Sequence, residues 1–237
     1  MYRFFGRLTE DIQKAILDKQ NSHHFVRVLR ISEDEEVEVV TESGVYKALF
    51  ESFEKENVTL KILDKVENKR ESDVQLTLVQ AILKSDKMEA AIKGAIEVGV
   101  CSIRPLIAKR NVSDIDKKTD KKIDRWQKIS EVAAKQSKRD YIPQVYHPIK
   151  IEDLKDFDGE LIVCYENEED LRFLDLKLES KKIALVIGPE GGFEDSEIEK
   201  LKSYGAHIIS LGKRILRAET AAITASYHVI NCLEGER

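Results

Sequence analysis

The residues best suited to chemistry lie in two glycine-containing stretches toward the C-terminal end of the chain. The first, Gly188-Pro189-Glu190-Gly191-Gly192-Phe193, follows the apolar residues 183–187 and precedes a segment that Asp195 or Ser196 can cap as a helix. Strand, glycine turn and helix N-terminus in that order form the usual ligand position of an open parallel sheet. Glycine admits positive φ and lets a ligand lie against bare amides and carbonyls. The turn has neither Gly-x-Gly-x-x-Gly spacing nor a Gly-Lys-Ser/Thr ending, so dinucleotide and triphosphate binding are both disfavoured. The second stretch, Gly212-Lys213-Arg214-Ile215-Leu216-Arg217-Ala218-Glu219-Thr220, follows a strand-like run at 208–211. It leads into a helical pattern with Ala222, Ala225, Ser226, Val229 and Leu233 on one face. Ile215 and Leu216 between Arg214 and Arg217 make an apolar wall flanked by cations, suited to an aromatic base joined to a phosphate or carboxylate. Two successive strand-end loops of this kind form one crevice. The simpler reading of the same residues is a tight turn and a well-packed helix with surface arginines.

Holding two such loops side by side requires a parallel sheet, and residues from 74 onward have its grammar. Apolar runs at 74–81, 103–107, 160–164, 182–187 and 207–211 alternate with helical patterns at 86–98 and 121–137. Continuous apolar strands separated by helices imply an α/β domain whose sheet is covered on both faces. Before it, apolar and polar residues alternate at 25–31, 36–40, 45–49 and 58–63, with a turn at Glu42-Ser43-Gly44, which suggests a small β-barrel over residues 1–70. The polar run at 67–73 is the expected linker to an α/β domain over 74–237.

Composition narrows the class. The 237 residues carry 35% charged and 42% hydrophobic side chains, as expected of a soluble globular protein. The first residues lack the apolar core of a signal peptide and no run reaches membrane-spanning length, so a cytoplasmic location is expected. Cys101, Cys164 and Cys232 are far apart and set among apolar residues, the pattern of buried free thiols, and no metal site is expected. A net charge of −5 argues against nonspecific coating of nucleic acid. Yet residues 104–150 hold 13 lysines and arginines against 6 aspartates and glutamates, so a basic face is possible within an acidic total.

The two stretches together resemble the RsmE family of SPOUT methyltransferases. Further blocks of the resemblance run the length of the chain: Arg3-Phe4-Phe5, the run from His23 to Arg30, Gln80-Ala81, Lys87-Met88-Glu89, Glu97-Val98-Gly99-Val100, Arg125-Trp126 and the run from Ala133 to Arg139. It implies a PUA-like barrel followed by an α/β domain whose C-terminal part is threaded into a trefoil knot, and a homodimeric assembly. It also implies methylation of N3 of a uridine in 16S ribosomal RNA of the small subunit. S-adenosyl-L-methionine is the implied cofactor, held largely by backbone groups of Ile187, Gly188, Glu190, Gly191, Gly192, Leu211, Gly212, Ile215, Leu216 and Arg217. Ala218 stands where the family commonly has threonine, and Lys93-Gly94-Ala95 also departs slightly from its pattern.

Within that resemblance, uridine N3 must lose a proton while the anion spread over O2 and O4 is stabilised. Arg217 is the expected stabiliser of the anion, and Glu219 or Glu190 the expected proton acceptor. The alternative role for either carboxylate is structural, capping a helix or pairing with Arg214 or Arg217. Arg27, Arg30, Lys135, Lys138 and Arg139 are the expected RNA contacts, the first two on a strand anchored by Val26, Val28 and Leu29, with His23 and His24 as lesser candidates. Two other functions suit the same sequence: ribose 2′-O-methylation of RNA on the same fold, and a noncatalytic RNA-binding role in ribosome assembly.

Overall fold

A computed structural model describes residues 1–67, 70–111 and 119–234. Positions 68 and 69 of the expected linker, and 112–118 of the basic stretch, lie outside the described residues. The chain divides into two compact units, one of residues 1–71 with 134–142, the other of 72–133 with 143–237. The segment 134–142 therefore belongs with the N-terminal unit, although the sequence places it deep within the α/β domain.

The first unit is a closed barrel. Its strands are β1 (Arg3–Leu8), β2 (Lys14–Leu17), β3 (Val37–Thr41), β4 (Gly44–Glu54) and β5 (Asn57–Val66), in the order β1-β2-β5-β4-β3, with β3 returning parallel to β1. Inward side chains alternate along each strand, so Phe4, Leu17, Val37, Val39, Ala48, Val58 and Leu60 fill the interior. Lys55 and Glu56 both take positive φ, the conformation that closes a two-residue hairpin between β4 and β5.

The strand expected at 25–31 is helical instead. Asp18 accepts a hydrogen bond from Asn21 N at 2.7 Å and starts α1 (Lys19–His23), which continues as a wider π turn over His24–Leu29. Arg30 ends it in the left-handed region at φ 53°. Local alternation of Val26, Arg27 and Val28 suits a strand, but capping and the burial of Phe25 prevail. The Phe25 ring lies 5.1 Å from Phe4 and 5.8 Å from Phe50, while Val28 faces out.

Arg139 is also placed differently from expectation. Its guanidinium is buried and grips Glu71 through Nε and Nη2, at 2.9 and 2.7 Å, and Asp140 N donates to the same carboxylate at 2.8 Å. A buried, bidentate arginine of this kind is committed to the fold and is not available to an RNA phosphate.

The second unit is built on a parallel sheet. Its elements are β6 (Gln75–Ala81), α2 (Ser85–Glu97), β7 (Ser102–Ile107), α3 (Thr119–Gln136), β8 (Gln144–Val145), β9 (Ile149–Lys150), β10 (Glu160–Cys164), β11 (Lys182–Ile187), α4 (Asp195–Ser203), β12 (His207–Ile209) and α5 (Ala218–Glu234). The order is β12-β10-β11-β6-β7-β8, with β9 also on β7, and every pairing is parallel. The uninterrupted apolar runs follow from this arrangement, because central strands are buried on both faces. Leu76, Leu78, Val79, Ile183, Ala184, Leu185 and Val186 are fully enclosed. Helix α5 packs on α2, β6 and β11, and Gly94 of α2 leaves the space that Ile223 of α5 occupies. No helix among the described residues is long and apolar enough to cross a membrane.

Candidate active site

Strand order, more than chain order, assembles the site. β12, β10 and β11 are neighbours and parallel, so the loops leaving their C-terminal ends open on one side of the sheet. These loops, the first turn of α5 and Lys87 of α2 enclose a cavity of about 680 Å³. All ten residues expected to hold a cofactor line it, as do Arg217, Glu219 and Glu190.

The turn after β11 closes with Gly192 N donating to Pro189 O at 3.0 Å, and Gly192 adopts φ 69°. A Cβ on Gly188 would stand 3.2 Å from the ring of Phe193, so the bare backbone there lets that ring pack beneath the turn. Arg110 Nη1 donates to Gly191 O at 3.0 Å, and buried Gln80 points its Nε2 at Gly188 O at 3.5 Å. The helix expected to be capped by Asp195 or Ser196 begins one residue earlier, with Glu194 as N-cap: Glu194 N donates to Glu197 Oε2 at 2.9 Å. The other oxygen of Glu197, a buried carboxylate, accepts from Lys109 N at 2.9 Å, tying the end of β7 to the turn.

The second loop is the more open one. Ile215 is 86% exposed and Arg217 is exposed beside it, while Leu216 is half-buried. Gly212 turns through φ 104° with open space around it. Arg217 O accepts from Ala221 N at 2.8 Å, which starts α5 and brings Glu219 into the cavity wall.

The two carboxylates differ in environment. Glu190 Oε1 accepts from Lys84 N at 3.3 Å and lies 3.4 Å from Lys87 Nζ, whereas its Oε2 is buried with no hydrogen-bond partner. Glu219 Oε2 is likewise buried without a partner. Burying a carboxylate oxygen unpaired is costly, so each marks a position where a ligand donor belongs. Neither pairs with Arg214 or Arg217.

Sequence reasoning missed Lys87, Cys164, Tyr165, Glu166 and Ser210, all of which line the cavity. The signal was available for three of them: Cys164, Tyr165 and Glu166 end or follow β10, and ligand crevices form at the carboxyl ends of parallel strands. Tyr165 Oη donates to Asp195 Oδ1 at 2.9 Å and accepts from Asn167 Nδ2 at 3.0 Å; burial raises its pKa above the usual tyrosine value. Burial alone pushes the Cys164 thiol up to about 12, so it is a neutral wall atom.

The residues expected to contact RNA all belong to the barrel unit. Arg27, Arg30 and Lys138 are exposed on the barrel unit, and Lys135 is half-buried with Nζ 5.8 Å from the centre of the Phe5 ring. Arg139 is enclosed as described. Among the described residues no cluster has the make-up of a metal site.

A β-barrel unit and a parallel α/β unit with glycine loops at adjoining strand ends define, together with the families they match, an RNA methyltransferase. Residues 70–230 match the RNA methyltransferase domain, and residues 17–63 match the RNA methyltransferase PUA domain. More narrowly, the chain belongs to the ribosomal RNA small subunit methyltransferase E family. It is 33% identical to that protein of Mesomycoplasma hyopneumoniae over 94% of this chain and 96% of the relative, and 30% identical to that of Bacillus subtilis over 100% of both. A crystal structure of the Neisseria gonorrhoeae family member bound to S-adenosyl methionine shares the fold with a TM-score of 0.88, at 29% identity and with 98% of each chain covered.

Proposed function

We propose that the protein transfers the methyl group of S-adenosyl-L-methionine to N3 of a uridine in 16S ribosomal RNA of the small subunit, and that it works as a cytoplasmic homodimer. One observation carries this reading. Gly188 to Gly192 and Leu211 to Arg217 line one cavity, and the carboxylate residues Glu190 and Glu219, each with a buried, unpartnered oxygen, belong to its wall. Family membership and the cofactor named for the gonococcal relative support it.

The residues present fit that cofactor. Ile187, Leu211 and Leu216 offer apolar contact for an adenine ring, the glycine turn offers bare backbone, and the free oxygens of Glu190 and Glu219 offer acceptors for amino or hydroxyl groups. When bound, the cofactor supplies an electrophilic methyl carbon on a sulfonium.

Positioning supplies much of the catalysis, because alignment of two bound reactants is itself worth a large share of the barrier. Arg217, exposed at the cavity mouth, stabilises the negative charge that develops over O2 and O4 of the uracil. Glu219 accepts the N3 proton, with Glu190 as the second candidate. Lys87 and the Lys84 amide already engage Glu190 and leave it the better suited to orienting a ligand. Exposed Arg27, Arg30 and Lys138 on the barrel unit serve phosphates of the RNA. The trefoil threading of the C-terminal part is inferred from the family resemblance, and the strand order β12-β10-β11-β6 is compatible with it.

Nucleoside mass spectrometry of small-subunit RNA from a deletion strain tests the reaction. Loss of 3-methyluridine, restored by the intact gene, is the expected result; loss of a 2′-O-methylated nucleoside would overturn it. Arg217→Ala should lower kcat at least tenfold with cofactor affinity little changed. Near wild-type turnover would remove Arg217 from the mechanism.

A further inference from the structure

A second groove, of about 710 Å³, runs between α2 and α3. Its rim is cationic: Lys121, Arg125 and Lys128 recur along one side of α3, and Lys93 of α2 adds a fourth charge. Glu89 and Asp124 are the acidic members of the lining, so the rim keeps an excess of positive charge in a chain whose net charge is −5. Glu89 pairs with Arg125, which fixes the guanidinium while leaving further N–H donors of its fork. The floor is aliphatic, made of Ala90, Ile129, Val132 and Ala133, and Val132 is 59% exposed. Aliphatic floor under a cationic rim matches a sugar-phosphate chain, with riboses against the floor and phosphates at the rim.

Position strengthens the match. Lys87 and Lys93 are on the same helix, about 9 Å apart along its axis at 1.5 Å per residue. The first lines the proposed methyl-transfer cavity and the second lines the groove. Lys121 to Lys128 extends the rim by about a further 10 Å at the same rise per residue.

We propose that the α2–α3 groove binds the phosphodiester chain of the RNA next to the nucleotide that enters the cavity, with Lys93, Lys121, Arg125 and Lys128 contacting phosphates. The inference rests on the proposed function, since it assumes an RNA substrate.

The test uses the full-length protein and its Lys121→Ala/Lys128→Ala double variant with a small-subunit ribosomal RNA transcript. Affinity is measured across a salt series, together with methylation, S-adenosylmethionine affinity by calorimetry, and oligomeric state by sedimentation. Loss of two phosphate contacts should weaken RNA binding about tenfold or more at low salt. The slope of log K against log salt should become shallower by about 1.4, at about 0.7 per contact for single strands. Cofactor affinity and oligomeric state should stay as in the wild type. An unchanged slope and affinity, with wild-type methylation intact, overturns the groove assignment alone. A changed oligomeric state with an unchanged slope gives the groove to a second copy of the chain and overturns it as well. If the wild-type protein neither binds nor methylates the RNA, free or within small ribosomal subunits, the proposed function falls and the groove assignment with it.

Discussion

Gly192 and Glu166 meet so closely that a Cβ on residue 192 would lie 1.9 Å from Oε1 of Glu166, on backbone already turned to φ 69°. Both residues line the proposed cofactor cavity. Glu166 can swing away, but the left-handed backbone cannot accept a side chain freely and costs about 1 kcal/mol for doing so. Gly192→Ala should therefore weaken S-adenosylmethionine binding about tenfold, equivalent to about 1.4 kcal/mol, with a drop in Tm of only a few degrees. Calorimetry beside a thermal melt measures both, and unchanged affinity would show that the turn does not shape the cofactor site.

The contact between Gly94 and Ile223 sets how closely α2 and α5 approach. A Cβ at 94 would lie 2.4 Å from Ile223 Cδ1 and 2.6 Å from its Cγ1. Gly94→Ala should destabilise the protein by about 1–3 kcal/mol through overpacking. Adding Ile223→Val, which removes the Cδ1 methyl, should recover part of that loss in a denaturant titration. A double-variant loss equal to the sum of the Gly94→Ala and Ile223→Val losses would show that the two side chains are not coupled.

Glu71 pairs with the buried Arg139 fork at 2.7 Å, with side-chain exposures of 12% and 5% respectively. Removing the carboxylate by Glu71→Ala takes the bidentate carboxylate from a buried cation, at a cost of about 3–5 kcal/mol. Urea unfolding should register that loss. A change below about 1 kcal/mol would put the pair in the class of weak surface bridges.

Cys164 gives a pH dependence whose sign follows from its raised thiol pKa. Below its ordinary value of 9.0 both native and unfolded states keep the proton, so the burial has no pH-dependent cost. As the pH rises from 9.0 toward about 12 the unfolded thiol ionises while the native one stays neutral, and stability falls. Cys164→Ala should flatten that part of the stability profile. At neutral pH Cys164 should also be alkylated more slowly than the partly exposed Cys101 and Cys232, as peptide mapping after iodoacetamide treatment would reveal.

Much of this architecture was legible in the residues alone. The apolar runs of β10 and β11 were placed at their observed limits, because strands buried on both faces carry unbroken apolar sequence. The two glycine loops were recognisable for the same local reason: a turn that takes positive φ, as at Gly192 and Gly212, favours glycine wherever it stands in a fold. The turn of helix at 24–29 was not legible, since Val26, Arg27 and Val28 alternate like a strand and only the Asp18 cap and the pocket for Phe25 overrule them. Arg139 was not legible either. Its partner Glu71 is 68 positions away, and no local pattern distinguishes a buried, paired arginine from an exposed one.

The sequence by itself thus determined the periodicities, the glycine loops, and the chemical types of Arg217, Glu190 and Glu219. Tertiary structure alone decided that β10 lies between β11 and β12 and brings Tyr165 and Glu166 to the cavity, that Lys87 reaches it from α2, and that α2 and α3 leave a cationic groove between them. The physical reason is range. Backbone conformation and burial pattern are set by neighbours a few residues apart, whereas a site is made of groups whose proximity depends on strand order and helix packing, which bring distant residues together.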